Sequence, residues 1–258
     1  MLSKELSPSF HPERCQEIIL YVKENVYYNI DNRKYSDYLI YFLHLLMDLT
    51  NVLHKFNGQV ITHQMLMSML TNYKRPHDKI HDLQKKGFLT SLKRGIYIGG
   101  SALDMATPEM FLIANHILGP SYISLDSALS YYNLIPEQVF ETSSVTTKKT
   151  SIFSTPKGAF SYTHLQLPYY AFGIKTIKLS NNQYVLMASE EKAIFDKVVC
   201  SAGIVLRSKV AAYQYLIENL RVDEAQLKNL NTKEMKSWLN EAPKKESLLM
   251  VLKMIENL

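Results

Sequence analysis

The sequence predicts an α+β fold in two domains, and three observations carry that prediction. Residues 60–98 run helix, helix, hairpin in close succession. Residues 138–188 alternate apolar and polar side chains between turn signals, as strands do. Everything after Gly203 has helical periodicity. Gly99, Gly100 and Ser101 separate a first domain, residues 1–100, from a second, residues 101–258, in which antiparallel hairpins precede a helical C-terminal tail. The 258 residues suffice for two cores, and 47% hydrophobic against 21% charged residues excludes collagen, a coiled-coil rod and a fully disordered chain.

Ile18, Ile19, Val22 and Val26 predict a helix over 13–30, after Pro12. Polar residues from Asn29 to Asp37 break the pattern. A second helix is predicted over 38–55, with Leu39, Leu43, Leu46, Thr50 and Leu53 on its inner stripe and Asn57-Gly58 at its end. Its most apolar run, Tyr38 to Met47, is ten residues long; a membrane span needs about 20, so it is expected to be buried in protein. The first 15 residues are polar and carry no signal-peptide core. Cys15 and Cys200 cannot make a disulfide framework, so a cytoplasmic, reducing setting is expected.

Val60-Ile61 is short and extended. Thr62 is placed to N-cap a helix through Leu70, and Thr71 to Lys74 is a turn. Pro76 opens the next helix, where its missing N–H costs nothing, and Gly87 closes it. Phe88 to Leu92 and Ile96 to Ile98 are strands around Lys93-Arg94-Gly95. Three helices followed by a hairpin is the order of a winged helix-turn-helix, whose third helix is available for a DNA major groove.

Charge supports that reading. Residues 51–100 hold eight basic and two acidic residues, whereas each of the other three stretches lies within two charges of neutral. Such a block reads as the footprint of a polyanion or as a solvated basic face. On a helical projection of 76–87, Pro76, Ile80, Leu83, Gln84 and Gly87 share one side. Lys74, Arg75, Lys79, His81, Lys85 and Lys86 fall outside it. Lys74, Arg75, His77, Lys79, His81 and Lys85 are therefore the candidates to face a groove and its flanking phosphates. Lys93 and Arg94 form the wing candidate on backbone phosphate. Asp78 and Asp82 lie on the same outer face and are costly beside phosphate, though a carboxylate accepts from cytosine N4.

In the second domain, helices are predicted over Thr107 to Leu118 and Leu125 to Tyr132. Strands follow at VFETSSV, TSIFS and AFSYTHL, with Thr155 to Gly158 as a hairpin turn. Ile174 to Leu179 and Tyr184 to Ala188 flank a second turn. Ser189 caps a helix over 190–200. Val205 to Leu220, Glu224 to Leu227, Thr232 to Leu239 and Lys244 to Asn257 complete the tail. Its leucines either pack on the core or mediate dimerisation, and monomer and dimer both stay open.

Two stretches resemble the AbiEi-family antitoxins of bacterial abortive-infection (type IV) toxin–antitoxin systems. The first is 72–98, NYKRPHDKIHDLQKKGFLTSLKRGIYI, with its KKG turn and basic wing ending in RGIY. The second is 119–164, which opens on Ser-Tyr-Ile-Ser-Leu and includes Ala128-Leu129-Ser130, Val145-Thr146-Thr147 and Phe160-Ser161-Tyr162. Ala188-Ser189-Glu190-Glu191-Lys192-Ala193 is similar to the family's ASPEKA element, with Glu190 where proline is usual. The resemblance spans roughly residues 40–200. It implies a winged helix that represses its own operon by binding the promoter, and a second domain that counteracts a nucleotidyltransferase-like toxin encoded beside it.

Enzymatic signatures are few. The sequence has no GxxxxGK[ST], GxGxxG, HExxH or GxSxG pattern. His77 and His81 alone, at i and i+4, supply only two possible metal ligands, so no metal or cofactor is expected. The nearest nuclease constellation is Asp126 and Glu141 with Lys148-Lys149, since metal-dependent nucleases need carboxylates for the cation and a lysine near the phosphate. A metal-dependent nuclease with a winged-helix targeting domain is therefore the alternative; the main expectation is a non-enzymatic DNA-binding repressor and antitoxin. Tyr131-Tyr132 and Tyr169-Tyr170 either stack on bases or pack at the core edge. Lys148, Lys149, Lys157, Lys175 and Lys178 either extend a nucleic-acid surface or form a solvated sheet face.

Overall fold

The computed structural model describes residues 49–137 and 139–258. The expected helix over 13–30, most of that over 38–55, the Tyr38–Met47 run and Cys15 lie outside the described residues. The chain is mixed α+β and divides into two compact units, one ending at Pro108 and one beginning at Glu109.

In the first unit, residues 49–54 are helical. β1 (Ile61–Thr62) leads directly into α1 (His63–Met69), because the Thr62 hydroxyl accepts from the Met65 N–H and ends the strand with an N-cap. α2 (Pro76–Lys85) starts on proline as expected. β2 (Leu89–Lys93) and β3 (Ile96–Gly99) form a hairpin, and β1 adds antiparallel to β3, giving the order β1-β3-β2. Leu53, Ile61, Leu66, Leu70, Ile80, Leu83 and Leu89 form the core between helices and sheet. Burying Ile80 and Leu83 fixes the roll of α2, each worth about 1.5–3 kcal/mol. Gly99, Gly100 and Ser101 belong to this unit. The Gly100 N–H donates to the Phe88 carbonyl, and a Cβ on Gly100 would meet the Gly87 carbonyl oxygen at 2.1 Å.

The second unit is built on a six-stranded sheet of order β6-β7-β5-β4-β9-β8: β4 (Ser121–Ile123), β5 (Thr142–Thr146), β6 (Ser151–Thr155), β7 (Gly158–His164), β8 (Ile174–Lys178) and β9 (Tyr184–Ala188). The two predicted hairpins, β6–β7 and β8–β9, are antiparallel. Parallel pairs, β5 with β7 and β4 with β9, join them into one mixed sheet, which the sequence reading did not anticipate. Phe140 lies outside β5 and is 88% exposed, a correction to the strand expected from Val139 onward.

α3 (Met110–Ile117) starts at the Glu109 N-cap, later than the expected Thr107, and the Glu109 N–H donates to the Gln183 side chain. α4 is Leu125–Tyr131 and α5 is Glu190–Cys200, the latter capped by Ser189 as expected. The sheet register alternates two tyrosines. Tyr162 donates to the Ala114 carbonyl of α3, whereas Tyr122 donates to Asp196 of α5, so helices cover both faces.

α5 buries an ion pair. Lys192 Nζ lies 2.9 Å from Asp196 Oδ1, with both side chains fully buried. The same ammonium donates to the Tyr169 carbonyl and sits 3.2 Å from the Tyr169 ring centroid, and Ser124 and Tyr122 donate to the other Asp196 oxygen. Burial pulls the Lys192 ammonium below the usual lysine range against the opposing pull of Asp196.

The tail follows as α6 (Lys209–Tyr213), a π-helical turn over Gln214–Asn219, α7 (Glu224–Lys228), α8 (Thr232–Trp238) and α9 (Lys245–Ile255). Leu216, Leu248, Leu252 and Ile255 are buried, so these side chains pack within the unit. Lys244 closes the C-terminus of α5 by donating to the Val198 and Ser201 carbonyls. Among the described residues, no helix is long and apolar enough to cross a membrane.

Candidate nucleic-acid interface

α2 presents a cationic face with an ordinary structural cause. Its apolar stripe turns Ile80 and Leu83 inward and leaves His77, His81 and Lys85 exposed on the helix, with Lys74 and Arg75 exposed in the turn before it. Asp78 is paired with Arg75 at 3.8 Å, the two side chains being 71% and 84% exposed. Such an exposed pair adds little stability. Asp82 is exposed one turn on.

Lys79 is the exception and corrects the sequence reading. Its residue is only 9% exposed, and its ammonium lies 5.2 Å from the centroid of the Tyr73 ring. On the helical projection it falls about 40° from Leu83, so it flanks the apolar stripe and buries its stem. Burial and the nearby Lys86 hold its ammonium below the usual range, with Asp82 opposing.

At the β2–β3 turn, Arg94 is exposed and Lys93 half-buried. Gly95 has φ +83°, a left-handed turn that glycine adopts without strain. Its carbonyl accepts from the His63 N–H at 2.8 Å, tying the first residue of α1 to the turn. The His63 ring stacks on His77, centroids 5.2 Å apart and planes 14° from parallel. His63 was not a predicted site residue. The tertiary pairing of Thr62 with Ile96 brings it to the turn, and local sequence carries no mark of that pairing.

In the second unit the suggested nuclease residues are gathered only in part: the Ser127 hydroxyl, next to Asp126, donates to the Glu141 carbonyl, so the two carboxylate-bearing segments are neighbours, while Lys148 and Lys149 lie apart. Asp126 on α4 is held by Lys197 of α5, with Nζ 2.6 Å from Oδ1. Glu141 precedes β5 while Lys148 and Lys149 follow it, so β5 alone holds them more than about 13 Å apart. Among the described residues, no three His, Cys, Asp or Glu side chains come together as a metal site. Tyr169 and Tyr170 are buried, and the Tyr132 hydroxyl donates to the Ala188 carbonyl. These three tyrosines are thus committed to the fold, and Tyr131 is 39% exposed.

Neither a family model nor a curated protein sequence matches the chain. Its functional reading therefore rests on its own residues. Residues 142–189 contain five lysines and no carboxylate. Lys148, Lys149 and Lys157 border the β6 edge of the sheet, while Lys175 and Lys178 lie on β8 at the other edge, roughly 24 Å away. They make two clusters rather than one continuous face.

Proposed function

We propose that the first unit is a winged helix-turn-helix and that the protein binds duplex DNA through it, as the repressor of its own promoter. The reading rests on one observation above the rest. Seven of the eight basic residues of the block, all but Lys55, lie on α2, directly beside it or at the hairpin turn, and Lys74, Arg75, Lys85 and Arg94 are in solvent together with His77 and His81. Groups left there add little to stability, and they fit a partner that supplies negative charge at regular spacing. α2 enters the groove in this reading, and Arg94 with Lys93 touches flanking phosphate. The helix and three-stranded sheet beside it are consistent with that docking.

The antitoxin role belongs to the second unit and rests on the resemblance of residues 119–164 and 188–193. Those residues fold as α4, the strands β4 to β7 and the start of α5. In this reading the protein is non-enzymatic and counteracts a nucleotidyltransferase-like toxin made beside it. Its expected setting is the bacterial cytoplasm.

Fluorescence anisotropy of the full chain on its own upstream DNA and on scrambled DNA, at two salt concentrations, tests the DNA reading. Selective, salt-sensitive binding is expected. Equal binding to both, or none, would send the basic block to another partner. Co-expression with the neighbouring gene product tests the antitoxin reading: growth arrest relieved by this protein supports it, and unrelieved arrest removes it.

A further inference from the structure

His63, which the sequence reading left unassigned, stacks on His77, one of its groove candidates. Three elements converge on the pair: the first residue of α1, the first turn of α2, and the β2–β3 turn, whose Gly95 carbonyl holds the His63 N–H. Among the described residues, the ring nitrogens of His63 and His77 have no hydrogen-bond partner, while both rings lie at least partly in solvent. The charged side chains on and beside these three elements are more often basic than acidic. Lys74, Arg75 and His81 come from the α2 side and Lys93 and Arg94 from the hairpin. Asp78, the adjacent carboxylate, is paired with Arg75, and Asp82 lies a turn further along α2. α1 and β1 contribute no other charged side chain.

Two stacked imidazoles with open nitrogens offer paired N–H donors once protonated. Two protonated rings stacked this closely repel each other, and an anion between them relieves that repulsion. An anion with two acceptor oxygens also lets each ring donate a charge-assisted hydrogen bond.

We propose that His63 and His77 form a phosphodiester-binding subsite that takes up protons as DNA binds. The inference rests on the DNA-binding reading and adds His63, the proton linkage and the class of contact. A backbone subsite carries no sequence information. It therefore strengthens binding to the protein's own upstream duplex and to an unrelated duplex by the same factor. Imidazolium is the binding form, so affinity rises as pH falls.

The test is duplex affinity of the full chain at about pH 6 and about pH 8 for wild type, His63→Asn, His77→Asn and Arg94→Ala. Wild type should bind both duplexes about fivefold to tenfold tighter at the lower pH. Each histidine variant should lose most of that gain. Arg94→Ala should weaken binding at both pH values and keep the gain. Histidine variants that keep the wild-type gain, while Arg94→Ala still weakens binding, overturn the subsite and leave the DNA reading standing. Wild type that binds neither duplex at either pH overturns both. Should a variant fold poorly, the His63 and His77 ring-proton resonances of wild type at about pH 7 decide the matter. Movement of both toward the imidazolium position on adding duplex supports the subsite, and resonances that stay in place overturn it.

Discussion

α2 and α5 are both charged helices of similar length, and each carries an intrahelical or flanking ion pair. Arg75–Asp78 spans 3.8 Å in solvent beside α2, whereas Lys192–Asp196 spans 2.9 Å with no exposure inside α5. The same chemistry does opposite work in the two places. On α2, removing a charge leaves water to solvate its neighbour, so the pattern is free to serve a partner. On α5, Asp196 accepts from Tyr122 and Ser124 as well as Lys192, so the pair is bound into the packing of sheet against helix. Charge that stabilises the fold is buried and saturated; charge available to a ligand is exposed and locally unbalanced.

The largest expected effect is on the buried side. Asp196→Ala leaves the Lys192 ammonium and two hydroxyl donors without their acceptor, and should cost about 3–5 kcal/mol in urea unfolding. Asp78→Ala, the matching change on the exposed side, should leave the unfolding midpoint where it is. Equal losses at both positions would erase the contrast.

The next effect is alkaline. Burial raises the phenols of Tyr122, Tyr162 and Tyr169 above their usual range, pushes Tyr132 up to about 12, and pushes the Cys200 thiol up to about 12. The folded state then holds protons that the unfolded state releases. Their stabilisation is complete below the unfolded values, near about pH 8.5–10, and is lost as pH rises toward the folded ones. Lys192 and Lys79, lowered by burial, work in the opposite direction but are two groups against five. Urea midpoints should therefore fall steeply above about pH 10, and Tyr122→Phe should flatten the fall. A midpoint constant through that range would contradict the burial argument.

A smaller effect sharpens the boundary between the two kinds of charge. Lys79 lies on α2 yet is buried over Tyr73. Lys79→Gln should lower stability and leave the salt dependence of DNA binding unchanged. A salt slope reduced by about one would return Lys79 to the interface.

Much of the local structure was legible in the chain. Thr62, Pro76 and Ser189 start their helices where cap chemistry places them. The apolar stripe of α2 faces inward as its periodicity requires. Of the α9 leucines, left open between core and dimer, Leu248 and Leu252 are buried and Leu249 is half-buried. What escaped is nonlocal. The parallel pairs β5–β7 and β4–β9 join segments that simple alternation would leave as separate hairpins. Burial of Lys192 and Asp196 depends on Tyr122, Ser124 and Tyr169 from distant segments, which the sequence around 190–200 does not mark. Lys79 sits too near the stripe edge for a projection to decide, and the His63–His77 stack joins two helices across a turn.

The central claim, that exposed charge on α2 and the β2–β3 turn serves DNA, is tested most directly by one measurement. It is the slope of log affinity against log salt for the full chain on its own upstream duplex, for wild type and for the Lys85→Ala/Arg94→Ala double variant. Two lost phosphate contacts should reduce the slope by about two while the unfolding midpoint stays unchanged. A slope identical to wild type would mean that these cations do not meet phosphate, and would contradict the account.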